Sequence, residues 1–249
     1  MLSAEAVRLV AIEILCPTAA NVAGTGFPTL AGRRVFDSRA PLLEDIDTAR
    51  DYTPVISLYT RRSLTAPRGP ASEYADFETT TVLEVVAELA TVVRDPDAGP
   101  GQDPAYVDAM ADGDPAARLV LAALSGQIRF LLTRSTNGLA WRRLVRHVNS
   151  FTVETFAIPE FGLRYQRQSL IFDLSIQDDA YDLDHGGLPE PLRSVAADLP
   201  DESYAKAKLA ELSARFLPEP AAPPCAINGT ASLPGHETLQ TGFGDLPAP

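Results

Sequence analysis

An α+β fold, with helices packed on a small, mainly antiparallel sheet and an extended proline-rich C-terminal arm, is predicted by three observations. Apolar residues recur at helical spacing in residues 3–16 (Ala4, Val7, Ala11, Ile14) and again from Pro115 (Leu121, Leu124, Ile128, Leu131, Leu132). Residues 77–93 and 163–178 alternate with a period of two, as strands with one buried face do. Residues 218–249 hold no Lys or Arg and are rich in Pro, Gly and Thr, a composition that supports no core.

The first helix is bounded by Ser3 as a capping residue, Glu5 in its first turn and Pro17 as its stop. Residues 17–32, with Gly24, Gly26, Pro28 and Gly32, predict a loop. Arg33 to Arg39 is extended, and Pro54-Val55-Ile56-Ser57-Leu58-Tyr59-Thr60 reads as a buried strand. Arg61 to Ala75 then forms a loop with Pro67, Gly69 and Pro70. In the long strand 77–93, Thr79, Thr81, Leu83, Val85, Ala87 and Leu89 share one face, opposite Thr80, Val82, Glu84, Val86 and Glu88. Residues 94–115 read as a mobile acidic loop. Asp114 caps the second helix, Pro115 suits its first turn, and it ends near Asn137-Gly138. A third helix follows, with Trp141, Leu144, Val145 and Val148 inward and Arg142, Arg143, Arg146 and His147 outward. Ser150–Ile158 is a strand, and Gly162 marks a hairpin-like turn into the strand 163–178. There Leu170, Phe172, Leu174 and Ile176 make the apolar face, which Arg164, Gln166 and Gln168 extend toward water. A polar loop follows Asp179, and Ser203–Phe216 is a last helix. The chain thus divides into a main domain (1–180), an acidic loop with an added helix (181–217) and the arm (218–249).

The net charge of −12 argues against wrapping nucleic acid, which needs a basic face. Lys206 and Lys208 are the only lysines. Arginine usage of this kind fits protein interfaces, although a GC-rich coding bias accounts for it equally. No apolar run is long enough to span a bilayer, and Glu5, Arg8 and Glu13 interrupt the signal-like N-terminus, so a chain made in the cytoplasm without a membrane partner is expected. Two cysteines, Cys16 and Cys225, are too few for a disulfide framework or zinc site.

Catalytic signatures are sparse. GTGFP follows a helix and lacks a third glycine, unlike a nucleotide loop. His147, His185 and His236 stand in no metal-ligand spacing, and no GxSxG elbow supports a triad. Asp182-Leu183-Asp184-His185-Gly186-Gly187 resembles the start of a calcium loop, but Arg193 stands where the closing Glu belongs. A solvated loop is the better reading, with a metal-dependent hydrolase using the 178–185 acidic cluster as the alternative from a different class. Glu84 and Glu88 project from one strand face without oriented partners, and Asn228-Gly229-Thr230 matches a glycosylation pattern without a secretory signal. No pocket signature for a small-molecule binding domain can be read.

The order of elements resembles the tail terminator proteins of long-tailed bacteriophages and related tail-like particles. It is carried over residues 4–180 by the helix with its Gly-rich loop, RVFDSRAP, TPVISLYTRR, the Thr-rich strand, ALSGQIRFLLTRS, WRRLV and RYQRQSLIFDLSIQDD. The resemblance implies a hexameric ring that caps the tail tube, ends its polymerisation and docks the head connector. It implies no catalytic residue and no cofactor. The other partners it implies are the tube protein and genomic DNA, which passes the lumen without specific binding, in a virion assembled in the host cytoplasm. Another neck or tail-completion protein is the nearest alternative. Arg61, Arg62, Arg142, Arg143 and Arg146 are the expected contact residues, together with the sheet edges.

Overall fold

The computed structural model describes residues 2–69, 77–94, 105–111, 114–158, 163–182 and 186–216. Its helices are α1 (Leu2–Leu15), α2 (Thr18–Ala23), α3 (Pro115–Thr133), α4 (Leu139–Leu144), α5 (Leu192–Asp198) and α6 (Tyr204–Ser213). Its strands are β1 (Val35–Asp37), β2 (Thr53–Pro67), β3 (Phe77–Arg94), β4 (Ala105–Ala109), β5 (Val145–Ile158) and β6 (Leu163–Ile176). The expected arm, residues 218–249, lies outside the described residues.

The six strands form one mixed sheet in the order β1-β2-β3-β6-β5. Only β1–β2 is parallel; every other pairing is antiparallel. β3 is the spine. One side of it is paired with β2 from Pro67↔Phe77 to Thr53↔Ala90, and the other with β6 and then, beyond Glu88, with β4. A backbone bond from Gln166 N to Met110 O (2.7 Å) joins β4 and β6 end to end along that side.

The inner face of β3 is as the alternation predicts: Thr79, Thr81, Leu83, Val85, Ala87 and Leu89 are all buried, beside Leu170, Phe172, Leu174 and Ile176 of β6. Across this face lie α1, α3 and α4. Trp141 of α4 meets Phe172 edge-on at 6.2 Å between centroids. α1 is buried almost all round, because α5 and α6 pack on it from the other side. Leu188, Leu192, Val195, Leu199, Ala205 and Leu209 therefore belong to the same core cluster as α1 and the sheet.

Several boundaries differ from expectation, and non-local pairing is the reason in most. β2 does not end at Thr60: β3 offers a partner along its whole length, so the expected loop 61–75 is strand as far as Pro67, with the extra residue taken up as a bulge between Thr60 and Arg62. Within the expected loop 94–115, Ala105–Ala109 folds back on the C-terminal end of β3. The third helix stops at Leu144, because β6 presents an edge that Val145 onward joins. Val145 and Val148 both stay inward because the register shift between Val145 and His147 takes up one extra residue and pairs them with Ile176 and Leu174. The expected loop 17–32 contains α2, whose first amide and hydroxyl, on Thr18, both donate to the Glu13 carboxylate (2.9 and 2.8 Å). α5 was not anticipated. Gln166 does not face water but is 2% exposed, and Gln168 accepts a hydrogen bond from Ser125 of α3 (2.6 Å). The side chain of Arg164 and the Gly162 turn lie outside the described residues.

Ser3 is not the cap of α1. It sits inside the helix, and Asp179, just past β6, receives Leu2 N, Ser3 N and the Ser3 hydroxyl (2.8, 2.8 and 2.5 Å). By length and composition Leu2–Ala23 and Pro115–Thr133 both qualify to cross a membrane, against the expectation of no such run. The first owes its apolarity to burial in the core.

Candidate assembly surface

Among the described residues, the second face of the sheet is less covered than the first. One corner is covered: Phe36 and Ile46 close over Val55 and Ala90 as a small separate cluster. Beyond it Tyr59, Val82, Val86, Ser169, Ile171 and Asp173 are half-buried on the open face, as their register with one another requires. Here the paired carboxylates of β3 acquire partners that sequence could not show. Glu84 lies 3.5 Å from the Arg61 guanidinium. Glu88 is 3% exposed and receives Arg167 Nε at 2.5 Å; the same guanidinium reaches Asp108 at 3.5 Å and lies over Phe156 at 5.5 Å. Burial holds the Tyr59 hydroxyl above its usual range; a hydrogen bond with Ser57 opposes this, and nearby Glu88 and Glu84 add to it.

Both margins of the sheet are strands of unequal kind. β5 pairs only with β6, and its ladder is interrupted by three register shifts, at Val145/His147, Val148/Ser150 and Thr155/Ala157. At the other margin β1 covers only Ile56–Leu58 of β2, so from Tyr59 to Leu64 the second side of β2 has no strand beside it among the described residues.

The five arginines expected at contacts divide. Arg61 and Arg62 are exposed on the β2 margin, Arg61 paired to Glu84. Arg146 is exposed on the β5 margin, on the strand and not on a helix face. Arg142 is internal glue instead: its guanidinium donates to Leu132 O (3.3 Å) and Ser135 O (2.7 Å), closing the C-terminal end of α3. Arg143 is ion-paired to Asp198, tying α4 to α5. His147 is exposed on β5; His185 and His236 lie outside the described residues.

The acidic run after β6 is engaged in structure. Asp178 accepts from Thr79 (2.9 Å), Asp179 caps α1, and Asp182 meets Arg193 at 3.2 Å. Arg193 also donates to Gly186 O and Leu188 O (3.0 and 3.1 Å), so the Asp182 carboxylate is taken up by a guanidinium. Residues 183–185 lie outside the described residues, among which no three His, Cys, Asp or Glu side chains gather as metal ligands.

A cleft of about 570 Å³ between α1, α2, β1 and α6 is lined by Cys16, Arg33, Phe36, Asp37, Arg39 and Tyr204 among others. Asp37 is engaged by Arg8 (2.7 Å) and by the Tyr204 hydroxyl (2.8 Å). Partial burial and that bond push the Tyr204 phenol up to about 12. Burial raises the Cys16 thiol, only partly offset by its bond with Asn21, which keeps it protonated and a poor nucleophile. Among the described residues, the half-covered sheet face with its two margins is therefore the candidate assembly surface. No known protein-family model matches this chain, and no curated protein is significantly similar to it.

Proposed function

We propose that this chain is a structural assembly subunit of the tail terminator type, closing into a ring of about six copies that caps a tail tube and presents a docking surface for the head connector. The observation that carries the reading is the pair of unlike margins among the described residues, β5 on one side and β2 from Tyr59 to Leu64 on the other, on a sheet whose inner face is packed by α1, α3 and α4. Head-to-tail contact between two different patches generates rings when the rotation closes. Strand margins offer backbone groups for such contacts, and the bulges in β5 restrict which partner fits. Exposed Arg61, Arg62 and Arg146 stand at these two margins, where guanidinium groups suit carboxylates of a neighbouring subunit. The order of elements over residues 4–180 adds the tube-capping role, and the net charge of −12 suits a lumen that DNA passes without binding. Another neck or tail-completion protein would use the same margins differently.

Native mass spectrometry of the chain, alone and after mixing with polymerising tail tubes, tests this. A closed ring of about six copies, formed in solution or on the tube, with tube growth halted, is the expected result. A chain that stays monomeric in both conditions and leaves tube length unchanged overturns it.

A further inference from the structure

The charge of this protein is unevenly placed. From Pro115 to Val153 the sequence holds six arginines and no carboxylate, in a chain of net charge −12. This stretch contains α3, which is apolar enough to cross a membrane, yet only 33% of it is buried. The inward side of α3 is accounted for by Leu121, Leu124, Ile128, Leu131 and Leu132. The outward side is apolar as well: Leu119 is 73% and Phe130 56% exposed. At about 100° per residue, Leu119, Ala123, Gly126 and Phe130 fall in one strip roughly 16 Å long. Arg129, over the Phe151 ring at 4.9 Å, flanks it, and Arg134 stands exposed at its end.

Among the described residues nothing accounts for a glycine at position 126. Glycine is the poorest helix former after proline, and a Cβ at this position would meet nothing within 4 Å. With Ala123 beside it, the middle of the strip is low and its two ends, Leu119 and Phe130, are high.

We infer that the outward face of α3 is a docking site for an acidic amphipathic helix of another protein, its apolar side against Leu119, Ala123, Gly126 and Phe130 and its carboxylates toward Arg129 and Arg134. A low centre between two large apolar side chains receives a helix closely, whereas a lipid surface is entered by a convex ridge. A second copy of α3 brings no carboxylate to these arginines and sets like charges together. Two arginines around an apolar strip are a poor match for a nucleic-acid backbone. The inference stands independently of the ring.

The test uses the full chain and a fluorescein-labelled synthetic helix with a Leu/Ala face flanked by glutamates, read by anisotropy. The same peptide with lysines for glutamates, phosphatidylserine/phosphatidylcholine vesicles and a short DNA duplex are the comparison probes. The acidic peptide binds in preference to all three. Its affinity falls about tenfold or more with Leu119→Ser/Phe130→Ser or with Gly126→Leu, and Arg129→Gln/Arg134→Gln weakens it and flattens its salt dependence. All these positions are exposed, and unchanged melting temperatures for the Ser and Gln variants show that the fold is intact. Equal binding of the lysine peptide overturns the inference, as does Phe130-dependent binding of vesicles or DNA. So does a change in the native mass of the assembly with Leu119→Ser/Phe130→Ser, which would make this face a subunit contact.

Discussion

Two glycines show how differently one residue type is used. Gly138 follows α3, and a Cβ there would run into the carbonyl oxygens of Leu131 and Leu132 and the Arg142 guanidinium. Arg142 donates to Leu132 O, and the Ser135 hydroxyl to Leu131 O, in closing the helix end, so nothing larger than hydrogen fits without disturbing that closure. Gly126, within α3, faces open space. Gly138→Ala is therefore expected to lower unfolding stability by about 1–3 kcal/mol, as overpacking does. Gly126→Ala is expected to raise it by about 1 kcal/mol through helix propensity alone. Urea denaturation of the two variants checks both signs; the same sign for both would contradict this account. Neither role was legible in the sequence. The sequence marks Gly138 only as a helix end and does not single out Gly126, because what a missing Cβ leaves room for is a property of neighbours.

At the scale of elements, some local signals hold and others, such as Ser3 as the cap of α1, do not. Asp114 does cap α3, accepting from Ala116 N at 2.8 Å, and Ser203 does cap α6. The inner face of β3 followed from alternation because every second residue there is buried by the same helix layer. Two of the differences, both in strands, share one cause. Arg61 to Pro67 and Val145 to Val148 carry weak local preferences, and each became strand because a long neighbour offered an unpaired ladder. Of the contact arginines, composition could nominate five but could not show that Arg142 points back into its own chain. α1 makes the same point at its end: its cap comes from Asp179, on the far side of the sheet in sequence. Asp179→Ala should cost about 1–2 kcal/mol by thermal or urea unfolding, and Ser3→Ala distinctly less, since it leaves both backbone amides capped. A larger loss for Ser3→Ala would mean that the serine, and not the aspartate, holds the helix start.

At the scale of the whole molecule, the resemblance covered residues 4–180 and the expected main domain ended at 180. The core does not recognise that boundary. α1 is buried on its second side by α5 and α6, through Leu192, Val195, Leu199, Ala205 and Leu209. Three polar links reinforce the cover: Ser203 to Glu13 (2.8 Å), Tyr204 to Asp37 (2.8 Å) and Arg143 to Asp198. A chain ending at residue 180 would leave one apolar flank of α1 in water, at about 25 cal/mol for each Å² uncovered. It is expected to aggregate or to lose its cooperative thermal transition, whereas a chain ending at residue 216 keeps it; calorimetry of the two distinguishes them. A truncated chain melting as sharply as the longer one would show that the helices past 180 are an accessory.

The clamp of Asp179 on Leu2 and Ser3 also orders events during synthesis. The two ends of that contact are 176 residues apart. At ribosomal rates of about 5–20 residues per second, α1 emerges on the order of 10–35 s before its cap exists. For that interval the most apolar helix of the chain has free N-terminal amides and lacks the strands and helices that later surround it. Its lasting protection begins only when β6 has been made, so a nascent chain interrupted before residue 179 carries an unfinished helix that a chaperone or protease can recognise.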